Sequence, residues 1–178
     1  MERKKQIILN DSEFKKIEIL YNTKGLGEMD MITRLKEEFP LYWRKGVFLE
    51  MLLNKVIKEK SAELLEFIID IENFSNYKDR GLNLMYNLLK EDWHYSHEEI
   101  VHTIEAIGNL DSLPVLREAV LIDPSLIDSF AMHNYAIRAI FDIAGKDALP
   151  ILLGLRKEID EDASPTLEKI IKRCEALQ

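Results

Sequence analysis

The stretch HEEIVHTIEAIGNLDSLPVLR, residues 97–117, recurs 36 residues later as HNYAIRAIFDIAGKDALPILL, residues 133–153. Seven of the 21 aligned positions are identical, and several others exchange one aliphatic side chain for another. In each copy the apolar residues follow the spacing of three and four that is typical of an amphipathic helix, and a Leu-Pro pair follows a short turn. The recurrence therefore predicts two successive repeats, each made of a helix, a tight turn and a second helix.

Such repeats have a physical reason to stack. Two short helices cannot bury both of their apolar faces alone, whereas stacked helix pairs share one continuous interior. A fainter copy of the pattern lies another 36 residues upstream, where Leu65, Ile68 and Ile71 fall on Val101, Ile104 and Ile107. We therefore expect an all-α fold, in which antiparallel helix pairs stack into an α-solenoid.

The turn chemistry predicts where the helices begin. Asp111 and Asp147 precede the second helix of each repeat, where a carboxylate can cap the helix and favour its positive end. Pro114 and Pro150 would lie in the first turn of that helix, where a missing N–H costs little. Ser96, with a glutamate three residues later, has the form of a capping box that opens the first helix of the earlier repeat.

The length of 178 residues fits one domain. We expect a single helical-repeat domain over residues 1–178, with divergent N-terminal helices in 1–60 and clearer repeats of about 36 residues in 61–178. Outside the two copies, the apolar spacing predicts helices near residues 11–21, 29–38, 41–59 and 165–176.

Charge is distributed unevenly along the chain. Residues 1–60 hold 13 Lys or Arg against 10 Asp or Glu, whereas residues 61–178 hold 11 against 22, and the net charge of the whole chain is -8. A surface this acidic repels phosphate backbones and attracts basic proteins. The charge therefore favours a basic protein partner and opposes nucleic-acid binding.

The sequence has no membrane or export signal that we can identify. The N-terminal Met1–Lys5 is followed by a short apolar run, Ile7–Leu9, which is too brief for a signal peptide. No stretch approaches the ~18 uncharged apolar residues of a membrane-spanning helix. The single cysteine, Cys174, allows no intramolecular disulfide and suits a reducing compartment. We expect a cytoplasmic protein.

The segment Trp93-His94-Tyr95-Ser96-His97-Glu98-Glu99-Ile100-Val101 resembles the Trp-His-x-x-His-Glu-[Asp/Glu]-Ile-Val signature of a bacterial HEAT-repeat-like family. The order of motifs is similar to that family from about Leu89 to Leu155. This chain departs from the family pattern at Arg138-Ala139 and Phe141, where members tend to carry Lys-Cys and Trp. The resemblance implies a HEAT-like fold and a place among candidate immunity proteins, which neutralise the toxins of competing bacteria.

Within this signature, His94, His97 and Glu98 carry atoms that metals bind, and the two histidines are three residues apart. A distant third ligand at a diagnostic spacing is absent from the sequence, so we predict neither a metal site nor a cofactor. The alternatives are that Trp93 packs into the core while the imidazoles bond to nearby backbone, or that Trp93, His94, His97 and Glu98 contact a partner. His133 repeats the position of His97, which favours a structural role for both.

Acidic residues near the C-terminus form a second candidate surface. Such a run is usually a solvated loop whose charge favours the N-terminus of the helix that follows. The alternative is a surface that binds a basic partner. The candidates are Asp142, Glu158, Asp160, Glu161 and Asp162.

The sequence contains neither a Gly-rich phosphate loop nor a nucleophile motif, so we expect a binding protein and not an enzyme. The predicted function is a protein-binding module, an immunity or inhibitor protein that blocks a basic toxin by occlusion. The alternatives are a general scaffold or adaptor with another partner, or an enzyme that binds nucleic acid on the same architecture.

Overall fold

A computed structural model of the chain describes residues 9–23, 28–44, 47–70, 82–123, 130–159 and 164–177. Across these ranges the secondary structure is helical and contains no strand, which confirms the all-α prediction. None of the helices in this part of the chain is both long and apolar enough to span a bilayer. The chain divides into two compact units, a first unit of Met1–Glu72 and a second unit of Asn73–Gln178.

The first unit contains short helices that follow one another closely. They are α1 (Asp11–Tyr21), α2 (Glu28–Glu38), α3 (Pro40–Arg44), α4 (Phe48–Glu59) and α5 (Ala62–Asp70). The bounds of α1 and α2 confirm the predicted helices to within one residue. The predicted helix over 41–59 is wrong, because α3 ends at Arg44 and α4 begins at Phe48. The sequence between them contains Gly46, a weak helix former.

A buried lysine joins α1 to α4 in the first unit. The Lys55 side chain is 4% exposed, and its Nζ lies 2.6 Å from Asp11 Oδ1 and 2.7 Å from Glu59 Oε1. The same ammonium group lies 5.4 Å from the centre of the Phe14 ring. These contacts favour the charged amine, and the hydrogen bond to Asp11 is the largest of the influences that raise the pKa of Lys55. Lys55 is thus a structural residue of this unit.

The second unit contains both sequence repeats. Its helices are α6 (Leu82–Leu88), α7 (His97–Ile107), α8 (Leu113–Val120), α9 (Phe130–Ala144), α10 (Leu149–Leu155) and α11 (Ser164–Glu175). The first repeat supplies α7 and α8, and the second supplies α9 and α10. Helix α9 packs against both helices of the first repeat, α10 contacts α8, and α11 contacts α9 and α10. The predicted last helix is confirmed to within one residue at each end.

The turn inside each repeat contains a short 3₁₀ helix, over Leu110–Ser112 in the first repeat and Gly145–Ala148 in the second. Gly108 lies just before the first 3₁₀ helix, and Gly145 is the first residue of the second. Both glycines adopt a left-handed conformation, with φ of 68° and 58°.

This 3₁₀ segment overturns the prediction that aspartates cap the second helices. Asp111 and Asp147 lie inside the 3₁₀ segments, and the residues at the caps of α8 and α10 are Ser112 and Ala148, neither with a side-chain cap bond. Pro114 and Pro150 do lie in the first turns, as predicted.

Equivalent positions of the two repeats have equivalent burial. Ile104 and Ile140 are both 0% exposed, as are Leu116 and Leu152. Cys174 of α11 is also 0% exposed, and its thiol lies 3.7 Å from the carbonyl oxygen of Gly145. The cysteine is therefore a packed side chain that fits α11 against the turn of the second repeat.

Truncating either repeat-equivalent isoleucine tests this core. We expect Ile104→Ala and Ile140→Ala each to lower the free energy of unfolding by about 2–5 kcal/mol, because each leaves a cavity among buried neighbours. Urea denaturation followed by far-UV circular dichroism measures the change. Leu110→Ala is the control, since that side chain is 61% exposed and should change stability by no more than about 0.5 kcal/mol. Wild-type stability in both isoleucine variants would contradict the shared core.

Candidate functional site

The segment between α6 and α7 forms a turn that buried histidines hold in place. His94 Nε2 lies 3.0 Å from the carbonyl oxygen of Leu88, at the end of α6. Its Nδ1 accepts a hydrogen bond of 3.2 Å from the backbone N–H of Ser96. Since Nδ1 accepts, Nε2 must carry the proton and donate it to the Leu88 carbonyl. Both nitrogens of His94 are thereby occupied by the main chain.

His97, the first residue of α7, makes a parallel contact. Its Nε2 lies 2.9 Å from the carbonyl oxygen of Glu91. The rings of His94 and His97 stack with their centres 4.3 Å apart, and Trp93 meets His94 edge-on at 4.9 Å. Both imidazoles are inside the unit, with exposures of 1% for His94 and 0% for His97. We call His94 and His97 the histidine pair.

Burial keeps both imidazoles neutral. Desolvation, followed by the charge of His97, lowers the pKa of His94 from 6.5 to about 4. Desolvation also lowers the pKa of His97, against the opposing influence of its bond to Glu91 and the charge of Glu99. A neutral His94 with both nitrogens occupied has no lone pair available for proton transfer. The structure therefore gives His94 a structural role.

The second repeat has a histidine–carbonyl contact like that of His97. His133 of α9 is 9% exposed, and its Nε2 lies 2.7 Å from the carbonyl oxygen of Ile122, just beyond α8. His97 and His133 thus both bond to main-chain carbonyls just beyond the preceding helix. Such a bond satisfies a main-chain carbonyl that lies outside any helix. The structural role that the sequence predicted for this repeated position agrees with these contacts.

The predicted capping box at Ser96 is wrong in its chemistry. Ser96 does occupy the N-cap position of α7, but its side chain makes no cap bond. Its backbone N–H is instead bonded to His94 Nδ1. A true capping box occurs at α1, where Asn10 and Glu13 exchange two hydrogen bonds of 2.9 Å. The Asn-x-x-Glu spacing was a readable signal for it.

The two remaining candidate residues of the signature, Trp93 and Glu98, do not form a metal site with the histidine pair in the described ranges. Trp93 and Glu98 are both half-buried. In the described ranges, three or more His, Cys, Asp or Glu side chains nowhere form a group that could hold a metal ion. The Nδ1 atom of His97 is buried and has no hydrogen-bond partner.

Two of the predicted acidic residues, Glu158 and Asp142, contact other side chains of the second unit. Glu158 accepts two hydrogen bonds from Arg117 Nη2, of 2.6 and 2.8 Å, so its carboxylate links α8 to the segment after α10. Asp142 is exposed on α9 and shares a side-chain hydrogen bond with Glu105 of α7. The remaining predicted residues, Asp160, Glu161 and Asp162, lie outside the described residues.

The Glu105–Asp142 contact belongs to a polar cluster that the sequence did not reveal. Burial, followed by the hydrogen bond with Asp142, raises the pKa of Glu105, while His102 acts against that rise. His102 Nδ1 lies 3.4 Å from Glu105 Oε2, and the His102 ring meets Tyr135 with centres 4.5 Å apart. The i,i+3 spacing of His102 and Glu105 was a signal. The pairing of α7 with α9 was needed to add Tyr135 and Asp142.

The histidine pair predicts acid sensitivity. An unfolded imidazole takes up a proton near pH 6.5, whereas folded His94 stays neutral down to about pH 4. Since the unfolded state binds more protons in this window, the free energy of unfolding should fall as the pH falls through it, by roughly 3 kcal/mol for His94 alone. His94→Gln removes this contribution and should flatten the pH profile of urea denaturation.

Leu110→Ala is the matched control, because that side chain is 61% exposed and carries no titratable group, so the slope of the profile should stay unchanged. Parallel profiles for wild type and His94→Gln would show that the imidazole is not buried in its neutral form.

Compared with known proteins, the chain matches no family model, and neither a curated protein nor a solved structure matches it. The resemblance to a HEAT-repeat-like family thus rests on the residues from Trp93 to Val101 and on the order of motifs around them. It stays a prediction. The function has to be argued from the contacts and charges of the chain itself.

Proposed function

We propose that this chain is a protein-binding module built as a HEAT-like α-solenoid, and that it acts as a bacterial immunity or inhibitor protein. Its partner is a basic protein, of which a toxin is the case implied by the signature at Trp93–Val101. The mechanism is occlusion: the acidic surface docks on the basic site of the toxin and prevents substrate from reaching it.

The packing of the second unit supports the solenoid part of this proposal. Both repeats run helix, 3₁₀ turn and helix, with proline in the first turn of the second helix. The contacts join each repeat to its neighbour in sequence, since α9 packs on α7 and α8, and α11 packs on α9 and α10. Nearest-neighbour contact of this kind is what a stacked repeat array requires.

The second unit keeps an excess of carboxylates beyond those held in ion pairs. Lys90 pairs with Glu118, Arg117 with Glu158 and Arg156 with Glu168. Each of these pairs neutralises one carboxylate with one cation and leaves the net charge of the unit unchanged. The unit as a whole holds 18 Asp or Glu against 11 Lys or Arg. A basic protein approaching this unit would be attracted over a Debye length of roughly 10 Å.

The observation that carries the proposal is the spread of exposed carboxylates over the outer surface of the second unit. Asp111 and Asp147 are exposed in the two equivalent turns, Asp142 is exposed on α9, and Asp92 and Glu99 are exposed beside the start of α7. A surface of this sign steers cationic partners and suppresses docking of phosphate backbones.

Co-expression with the product of the adjacent reading frame in the native genome tests the proposal. We expect the two proteins to co-purify and growth to be rescued, and association to slow as ionic strength rises from about 0.05 to 0.5 M. Absence of both rescue and co-purification would remove the immunity function. Rescue with salt-independent association would remove the electrostatic mechanism.

A matched pair of triple variants locates the charge effect. Asp111→Asn, Asp142→Asn and Asp147→Asn together should lower the association rate by about tenfold, because they neutralise exposed carboxylates of the second unit. Asp30→Asn, Glu37→Gln and Glu63→Gln change the net charge equally, but at exposed positions of the first unit. Stopped-flow binding should show a smaller loss for this control. Equal losses would mean that overall charge, and no particular surface, governs association.

A further inference from the structure

We propose that the turn before α7 presents Tyr95 as the anchor of the docking surface, and that it inserts into an apolar cleft edged by Lys or Arg on a protein partner. The proposal rests on the proposed function, because it assigns a contact surface to the same partner. It departs from the sequence-based candidates, since it replaces the buried histidine pair as the point of contact.

Tyr95 protrudes from the turn between two buried residues. Its side chain is 78% exposed, whereas His94 and Ser96 on either side are 1% and 5% exposed. A large aromatic side chain left in water at this level is a candidate contact residue, because tyrosine gives a large contact area for little loss of conformational entropy.

Hydrogen bonds from the histidine pair fix the backbone that carries Tyr95. His94 ties the turn to Leu88 and, through Ser96 N–H, to the residue after the tyrosine. His97 ties the start of α7 to Glu91. The main chain on both sides of Tyr95 is thus already ordered before any partner arrives. A preorganised anchor avoids the ordering cost that a flexible loop incurs on binding.

The repeat itself does not require this turn. Helix α9 begins at Phe130, which is the equivalent of His94, so the equivalents of residues 94–96 are helical in the second repeat. In the first repeat α7 begins three residues later, at His97, and those residues form the turn instead. A local departure from the repeat is expected where a site is built.

Charge around the turn identifies the chemistry of the partner. Four carboxylates lie within four residues of Tyr95 in sequence, and two of them, Asp92 and Glu99, are exposed. Trp93, half-buried, adds aromatic surface next to them. An exposed phenol ring with exposed carboxylates three and four residues away in the sequence complements an apolar cleft bordered by cations. Stacking of Tyr95 on a nucleic-acid base is disfavoured, because the same carboxylates repel the phosphates.

Selection from a phage-displayed library of random short peptides tests the surface while the natural partner is still unidentified. The library is panned on the full chain, with Tyr95→Ala as the counter-selection. We expect basic peptides that also carry apolar residues, with affinity that falls at least about tenfold in Tyr95→Ala and is retained in Tyr95→Phe. Asp92→Asn with Glu99→Gln should weaken the same peptides and reduce their salt dependence.

Leu110→Ala is the matched control, since Leu110 is another exposed apolar side chain of the same unit, beyond the opposite end of α7, and is 61% exposed. All variants change exposed positions, so their thermal unfolding should match that of the wild type. Failure to recover Tyr95-dependent peptides would overturn the proposal, as would peptides that lose affinity equally in Leu110→Ala. Tyr95-dependent binding of an oligothymidylate in place of peptides would overturn it too.

The two proposals fail separately. A neighbouring gene product that binds Tyr95→Ala as tightly as wild type would remove the anchor and leave the immunity function standing. Tyr95-dependent basic peptides, together with no complex between the chain and that gene product, would keep the anchor and remove the assigned partner.

Discussion

Burial of α9 against α7 and α8 is the contact on which the second unit depends. Met132, Ala136, Ile137, Ala139 and Ile140 of α9 are each 0% exposed. Removing this much apolar surface from water is the dominant favourable term in folding. The same contact places the first helices of the two repeats side by side. The positions of the turn before α7 and of the polar cluster around Glu105 follow from this packing.

Hydrophobic spacing was enough to predict the helices of the repeats, because each helix buries one face and its period is visible in the sequence. The cap chemistry was not predictable in the same way. Ser96 has the residue type and spacing of a capping box, yet its N–H is taken by His94 Nδ1, a competitor that spacing rules do not count. Asp111 and Asp147 likewise fall inside 3₁₀ segments, which propensity alone does not distinguish from helix caps.

The candidate site was predicted in part. The spacing of His94 and His97 left open whether their side chains converge, and in the structure their rings stack. The sequence could not show that both imidazoles would be buried, because burial depends on how α6 ends against the start of α7. The exposure of Tyr95 follows from the same packing, as does the pairing of Glu105 with Asp142, residues 37 positions apart on different helices. Such contacts come from tertiary structure, whereas helix periodicity is local.

The left-handed glycines have a consequence for how the repeats tolerate change. Gly108 and Gly145 are 37 residues apart, one more than the repeat period, whereas Pro114 and Pro150 keep the period of 36. Helix α9 is therefore one residue longer than the period allows at its C-terminal end, and the following turn is one residue shorter. The turn absorbs this difference, so that α10 starts in register. A single-residue insertion or deletion at this joint can thus be accommodated within one repeat while the packing of the adjacent helices is preserved.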